Sequence, residues 1–233
     1  MSDGAPAPEK TAIRDAATIV LVRDAGGAEP KVLMGQRGAG AAFMPNKFVF
    51  PGGALDPDDA QVRLDGELDP AMRRKLAAMP VTETVPAPEA MVAGAIRELW
   101  EEAGLMLGRA GAWDGPLPED WRAFAEAGLR PAPDALRYIF RAITPPGRPR
   151  RFDARFFLAD AAAIDADLDD FGRACDELSH MHWIEIAEAR RLDLPFITEV
   201  VLAEAEEVLR RGLPESVPFF DNSGRVSTFR RIG

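Results

Sequence analysis

The sequence predicts a single α/β domain. Three observations carry that reading: apolar β-branched and aromatic runs of strand length, helices whose apolar residues recur at 3.6-residue spacing, and no internal repeat or linker after residue 15. Residues 1–15 are rich in Pro, Ala and charge and read as a flexible N-terminal tail, leaving 16–233 as the domain. Residues 17–22 and 31–34 are apolar runs flanking Gly26-Gly27, the pattern of a hairpin. Residues 35–46 hold too much Gly and Ala for a strand, and they lead into a strand at 48–50 that Pro51-Gly52-Gly53 ends as a freely bending loop. A polar segment follows, with a short helix at 70–78 and a Pro/Thr-rich loop at 80–88. The best-defined helix covers 89–103, where Ile96, Leu99, Trp100 and Ala103 form one stripe and Gly104 takes the place of a left-handed terminal residue. A weaker helix at 119–127, strands at 136–140, 151–158 and 181–184, an amphipathic helix at 196–211 and an irregular tail complete the chain.

The 233 residues are 47% hydrophobic, with 28 Lys+Arg against 38 Asp+Glu for a net charge of -10, which suits a sizeable core in a soluble chain. That excess negative charge opposes binding to nucleic acid or to anionic membrane, so any basic site must be local. Cys175, the only cysteine, excludes an internal disulfide framework and a multi-thiolate metal site; it reads as a small buried apolar group in a reducing compartment. No leader pattern and no membrane-spanning apolar run is seen, so a cytoplasmic location is expected.

Glu98, Glu101 and Glu102 stand at i, i+3 and i+4 and project from the face opposite the apolar stripe. No Lys or Arg lies three or four residues C-terminal to them, and a like-charge i, i+4 pair costs about a few tenths of a kcal/mol. A hard divalent cation with oxygen ligands would compensate; a solvated acidic helix face is the plainer alternative. Two weaker patterns are set aside. Asp165-x-Asp167-x-Asp169 lacks the glycine a calcium loop needs at its sixth position, and His180-x-His182 has no further ligand pair to complete a zinc site.

Residues 97–105, Arg-Glu-Leu-Trp-Glu-Glu-Ala-Gly-Leu, resemble the second half of the Nudix box at every specified position, and Glu89 fits the glutamate eight residues before the arginine. The box glycine is displaced: position 83 is Glu83, and the plausible glycine, Gly53, lies 36 positions before Glu89 instead of six. An insertion at about 57–88 accounts for this. With Gln36-Arg37, Phe43-Met44-Pro45 and residues 151–157, the pattern resembles the coenzyme A diphosphatase branch called nudix motif 19.

The resemblance implies an α/β/α sandwich with a mixed sheet and a hydrolase holding Mg²⁺ or Mn²⁺. It makes Glu98, Glu101, Glu102 and the Gly53 carbonyl the metal ligands, and has Arg97 orient Glu98. Glu98 is then the first choice of general base, Glu102 shares the catalytic role, and Glu177 is the candidate outer carboxylate. Six arginines between 137 and 155 face one acid, Asp153, so Arg151 and Arg155 become candidates for phosphate recognition, with Arg37, Gly52 and Phe43 near the glycine loop. The expected reaction is hydrolysis of a nucleotide diphosphate linkage, foremost in coenzyme A or acyl-CoA. Substrates such as ADP-ribose, NADH or a dinucleotide are the alternative, with Phe43, Tyr138 or Phe140 against an adenine. A nucleotide-binding module without turnover and a partner-binding protein are the readings from other classes. The partner expected is a small nucleotide, with no nucleic acid and no membrane, and the family makes a homodimer an expectation.

Overall fold

The computed structural model describes residues 12–41 and 43–233. The expected tail falls mostly on residues 1–11, outside the described residues, and its last three positions are already strand. In chain order the elements are β1 (Ile13–Arg23), β2 (Lys31–Arg37), β3 (Phe48–Val49), β4 (Gly52–Ala54), a 3-10 turn at Pro57–Gln61, α1 (Pro70–Ala77) and α2 (Pro88–Ala103). They continue with β5 (Gly108–Ala110), α3 (Arg122–Glu126), β6 (Leu129–Pro131), β7 (Arg137–Ile143), β8 (Arg151–Asp160), β9 (Leu178–Glu185), α4 (Ile186–Ala189), α5 (Phe196–Arg211), β10 (Val217–Asp221) and β11 (Thr228–Ile232).

Among the described residues, nine strands form one mixed sheet in the order β11-β10-β7-β8-β1-β2-β3, with β4 beside β1 and β9 beside β2. β1 runs parallel to β8 from Ile13↔Arg151 to Val22↔Asp160. Its other edge is shared: β2 pairs it at Val22 and Arg23, β4 at Ala16, Ala17 and Thr18. Strand alternation sorts β1 between two cores. Ala17, Ile19 and Leu21 join Val92, Ile96 and Leu99 of α2, while Val20 and Val22 join Val201, Leu202 and Ala205 of α5. Helices on both faces of a mixed sheet make the expected α/β/α sandwich.

Three local readings need correction. The tail after α5 carries two strands, because Val217 and Phe219 are core residues whose backbone pairs with β7 and β11. The strand at 31–34 runs on through Gly35, where glycine is required by packing: a Cβ there would lie 2.9 Å from the Leu178 Cβ of β9. Gly52 and Gly53 are strand rather than loop, and a Cβ on Gly52 would lie 2.7 Å from the Ala17 carbonyl, so only glycine lets β4 approach β1 this closely.

The segment 57–88 packs on the α2 side of the sheet through Val62, Leu68, Met72 and Leu76. The C-terminal end of α1 is tied to β7, as Arg141 Nη1 donates to the carbonyls of Ala78 and Met79, each at 3.0 Å. Arg141 in turn makes a bidentate pair with Asp153, at 2.8 and 2.6 Å. No helix among the described residues is long and apolar enough to cross a membrane.

Candidate active site

Helix α2 starts with Pro88 at its first position, where the missing N–H costs nothing, and with Glu89 placed favourably at the positive end of the helix dipole. It stops at Gly104, whose φ of 71° is the left-handed conformation anticipated from the sequence. The small residues Ala90, Ala93, Gly94 and Ala95 let neighbouring segments close on it, so every residue from Ala90 to Leu99 is buried. The acidic face is therefore not solvated. Glu98 is 8% exposed and Glu102 2%, while Glu101 stays half-buried at the rim.

Arg97 organises this face. Its Nη1 donates to Glu98 Oε1 at 3.0 Å and to Glu101 Oε2 at 2.9 Å, and its Nη2 donates to the Ala54 carbonyl at 3.0 Å. The remaining donors reach Asp59 in the 3-10 turn, Nε at 2.9 Å and Nη2 at 3.1 Å. All five guanidinium N–H groups are thus engaged. Glu102 lies one turn beyond Glu98, and its Oε2 accepts from the Gly52 N–H at 2.7 Å. Burial pushes the Glu98 carboxyl up to about 7 against the opposing pull of Arg97. Burial and the neighbouring Glu98 charge hold Glu102 well above the usual carboxylate range. Burial raises Glu101 as well, opposed by the Arg97 charge.

Among the described residues no three His, Cys, Asp or Glu side chains converge on a point that would hold a cation. Glu98 and Glu101 are turned to Arg97, and Glu102 to β4. The donor chemistry nevertheless fits a hard divalent cation: two buried carboxylates repel each other across one helical turn, and Gly53 leaves a cradle beside them. A Cβ on Gly53 would stand 2.5 and 2.6 Å from the Glu98 carboxylate oxygens. Glu98, Glu102 and the Gly53 backbone are the residues that would hold the ion, with Glu101 at the rim.

No family model matches the chain. A Caenorhabditis elegans protein assigned as nudix hydrolase 7 is 30% identical over 190 residues, a match that takes in 75% of this chain and 52% of the relative. The chain thus spans about half the length of the curated relative it matches. A crystal structure of a NUDIX hydrolase from Alicyclobacillus acidocaldarius superposes with a TM-score of 0.59 at 28% identity, covering 87% of this chain and 98% of that one. The chain has the fold of the Nudix hydrolases and is similar to them in sequence.

On the Nudix fold the remaining predicted residues separate into two groups. Arg37 and Glu177 meet in an ion pair of 2.8 Å, and both charges act on Glu102, Glu177 raising it and Arg37 lowering it. They stand beside the carboxylates. Arg151 and Arg155 do not serve as free phosphate ligands. Arg151 is 5% exposed and donates to the Thr144 and Asn222 carbonyls. Arg155 is 1% exposed, paired with Asp15 and Asp153. The arginine-rich stretch reads as a binding surface in sequence because the acids that absorb it, Asp15 and Asp153, arrive from β1 and from β8 itself.

Tyr138 and Phe140 are core residues, removed from any adenine, and Phe43 is engaged edge-on with Phe152 at a centroid separation of 5.4 Å. Gly52, expected to bind substrate, has its N–H engaged by Glu102. Cys175 is exposed instead of buried, in the loop before β9, with its N–H donating to the Glu101 carbonyl at 2.7 Å. Sequence reasoning missed Asp59 altogether, since nothing in the polar segment around it marks one aspartate as internal. Gly53→Ala is expected to force Glu98 out of place and lower turnover by roughly a hundred-fold, since an ångström of misplacement at reacting groups costs that much. Steady-state rates alongside an unchanged circular-dichroism spectrum check it.

Proposed function

We propose that the chain is a divalent-cation-dependent pyrophosphohydrolase that cleaves the diphosphate of a nucleotide conjugate, with coenzyme A or an acyl-CoA as the favoured substrate. The observation that carries the reading is the buried Glu98/Glu102 pair facing the Gly53 cradle, with Arg97 bound to Glu98. Mg²⁺ or Mn²⁺, when bound, supplies charge neutralisation at the diphosphate oxygens and a more acidic water. Arg97 keeps the Glu98 carboxylate aimed, and Glu98 takes the proton from the water that attacks phosphorus. Glu102, steadied by the Gly52 N–H, adds the second buried negative charge. Arg37 is the basic side chain next to these acids and suits a substrate phosphate, with Glu177 as the outer carboxylate. Water adds across the P–O–P bridge, so coenzyme A would yield 3',5'-ADP and phosphopantetheine.

A second substrate reading is favoured by the burial of Arg151 and Arg155. With those arginines internal, the case for a 3'-phosphate contact weakens, and ADP-ribose, NADH or a dinucleotide becomes a direct competitor. Incubation with coenzyme A, ADP-ribose, NADH and diadenosine polyphosphates in Mg²⁺ or Mn²⁺ decides between them. Selective turnover of coenzyme A is expected; selective turnover of another compound would change the substrate, and no metal-dependent turnover of any would end the enzymatic reading. A cytoplasmic location and a homodimer are part of the same proposal, checked by fractionation and by light scattering.

A further inference from the structure

The inserted segment brings one side chain into the site. Asp59 lies in the 3-10 turn at Pro57–Gln61 with its side chain fully buried, and it clasps the Nε and Nη2 edge of Arg97. Its Oδ2 also accepts from the Asp56 N–H at 2.9 Å, while Asp56 caps the Asp58 N–H at 2.9 Å, so the turn is closed around this carboxylate. Gly94 makes the room: a Cβ there would lie 2.8 Å from Asp59 Oδ2 and would also meet Leu55. Because a guanidinium is planar, fixing its Nε/Nη2 edge fixes the direction of Nη1, which is the atom that reaches Glu98 and Glu101.

We propose that Asp59 is a positioning residue: it holds Arg97 in the one orientation that steadies Glu98 through a single contact, which makes the insertion a working part of the site. The proposal rests on Glu98 and Glu102 being cation ligands, as above. Without the Asp59 carboxylate the guanidinium can turn and pair with both Glu98 oxygens, competing with a cation for the same charge. A sequence signature follows, Asp59 with Gly94 and Arg97, in which the glycine leaves room for both Leu55 and the aspartate.

The test uses the full chain with Asp59→Asn and Gly94→Ala, singly and together, measuring Mn²⁺ affinity by electron paramagnetic resonance, kcat and KM on coenzyme A, and Tm. Both single variants should weaken Mn²⁺ binding by roughly ten- to a hundred-fold, the effect of losing a group that orients a metal ligand, and lower kcat with KM little changed. The double variant should be no weaker than the weaker single one, since both break the same contact. Gly94→Ala keeps every charge and decides the matter if Asp59→Asn does not fold. A lowered Tm with Mn²⁺ affinity and kcat unchanged would overturn the proposal, leaving Asp59 a purely structural group. Weakened Mn²⁺ binding in a protein that turns over no diphosphate would support the positioning role and remove the activity. Absence of Mn²⁺ binding in the wild-type chain would overturn both.

Discussion

Glu98→Gln is expected to lower turnover of the diphosphate substrate by at least about a hundred-fold, or about 2.7 kcal/mol of lost barrier reduction, while the protein stays folded. The amide keeps the shape of the side chain and can still accept from Arg97 Nη1, so the ladder from Asp59 to Arg97 to position 98 persists. What disappears is the negative charge and the site for a proton. The sign of the stability change separates this from general damage. Burial raises the folded-state carboxyl to about 7, above its unfolded value, so in the metal-free protein its ionisation opposes folding as pH rises through that range. At pH 8 the glutamine is free of that penalty, and Tm without added metal should hold or increase. Glu102→Gln should behave alike, and Glu101→Gln, at the rim, should lose less. Steady-state kinetics with Mn²⁺ and thermal melts measure both quantities; an unchanged rate removes Glu98 from the mechanism.

Asp153→Ala is expected to be the most destabilising single change, with a normal rate per folded molecule. Asp153 is 1% exposed and binds Arg141 through two hydrogen bonds and Arg155 at 3.3 Å. Deleting it leaves the buried Arg141 guanidinium with no acid partner and Arg155 with Asp15 alone, and breaking a buried pair in this way costs about 3–5 kcal/mol. For a chain of this size that lowers Tm on the order of 10 °C. The loss should spread to the end of α1, whose last carbonyls Arg141 holds, and hydrogen exchange should report faster opening there. A melting temperature within a degree or two of wild type would show that the network is not needed for stability.

Both variants mark where sequence reading succeeds and where it stops. Elements defined by contacts within a few residues were legible. The hairpin of β1 and β2, the start and left-handed end of α2, and the whole span of α5 follow from local apolar spacing, glycine and proline, which act through the chain's nearest neighbours. The short strands were not. β4 and β10 exist because β1 and β7 supply hydrogen bonds from far along the chain, β11 then pairs with β10, and three residues such as Gly52–Ala54 carry no periodicity to reveal that.

The site divides in the same way. Glu98, Glu101 and Glu102 could be placed on one helix face from their spacing alone, and Gly53 could be suspected from the displaced box glycine. Charge balance could not be read. In sequence, Arg151 and Arg155 stand in a basic cluster; in the folded chain Arg155 meets Asp15 from 140 residues away, and Arg151 meets the Asn222 carbonyl. The covalent order of the residues determined which groups share a helical ridge, because that geometry repeats every 3.6 residues whatever surrounds it. Only the packing of distant segments decided that Glu98 and Glu102 are buried, that Arg97 is clasped from behind by Asp59, and that Arg141, Arg151 and Arg155 are internal struts. Burial and pairing are properties of distant segments brought together, and no local pattern encodes them.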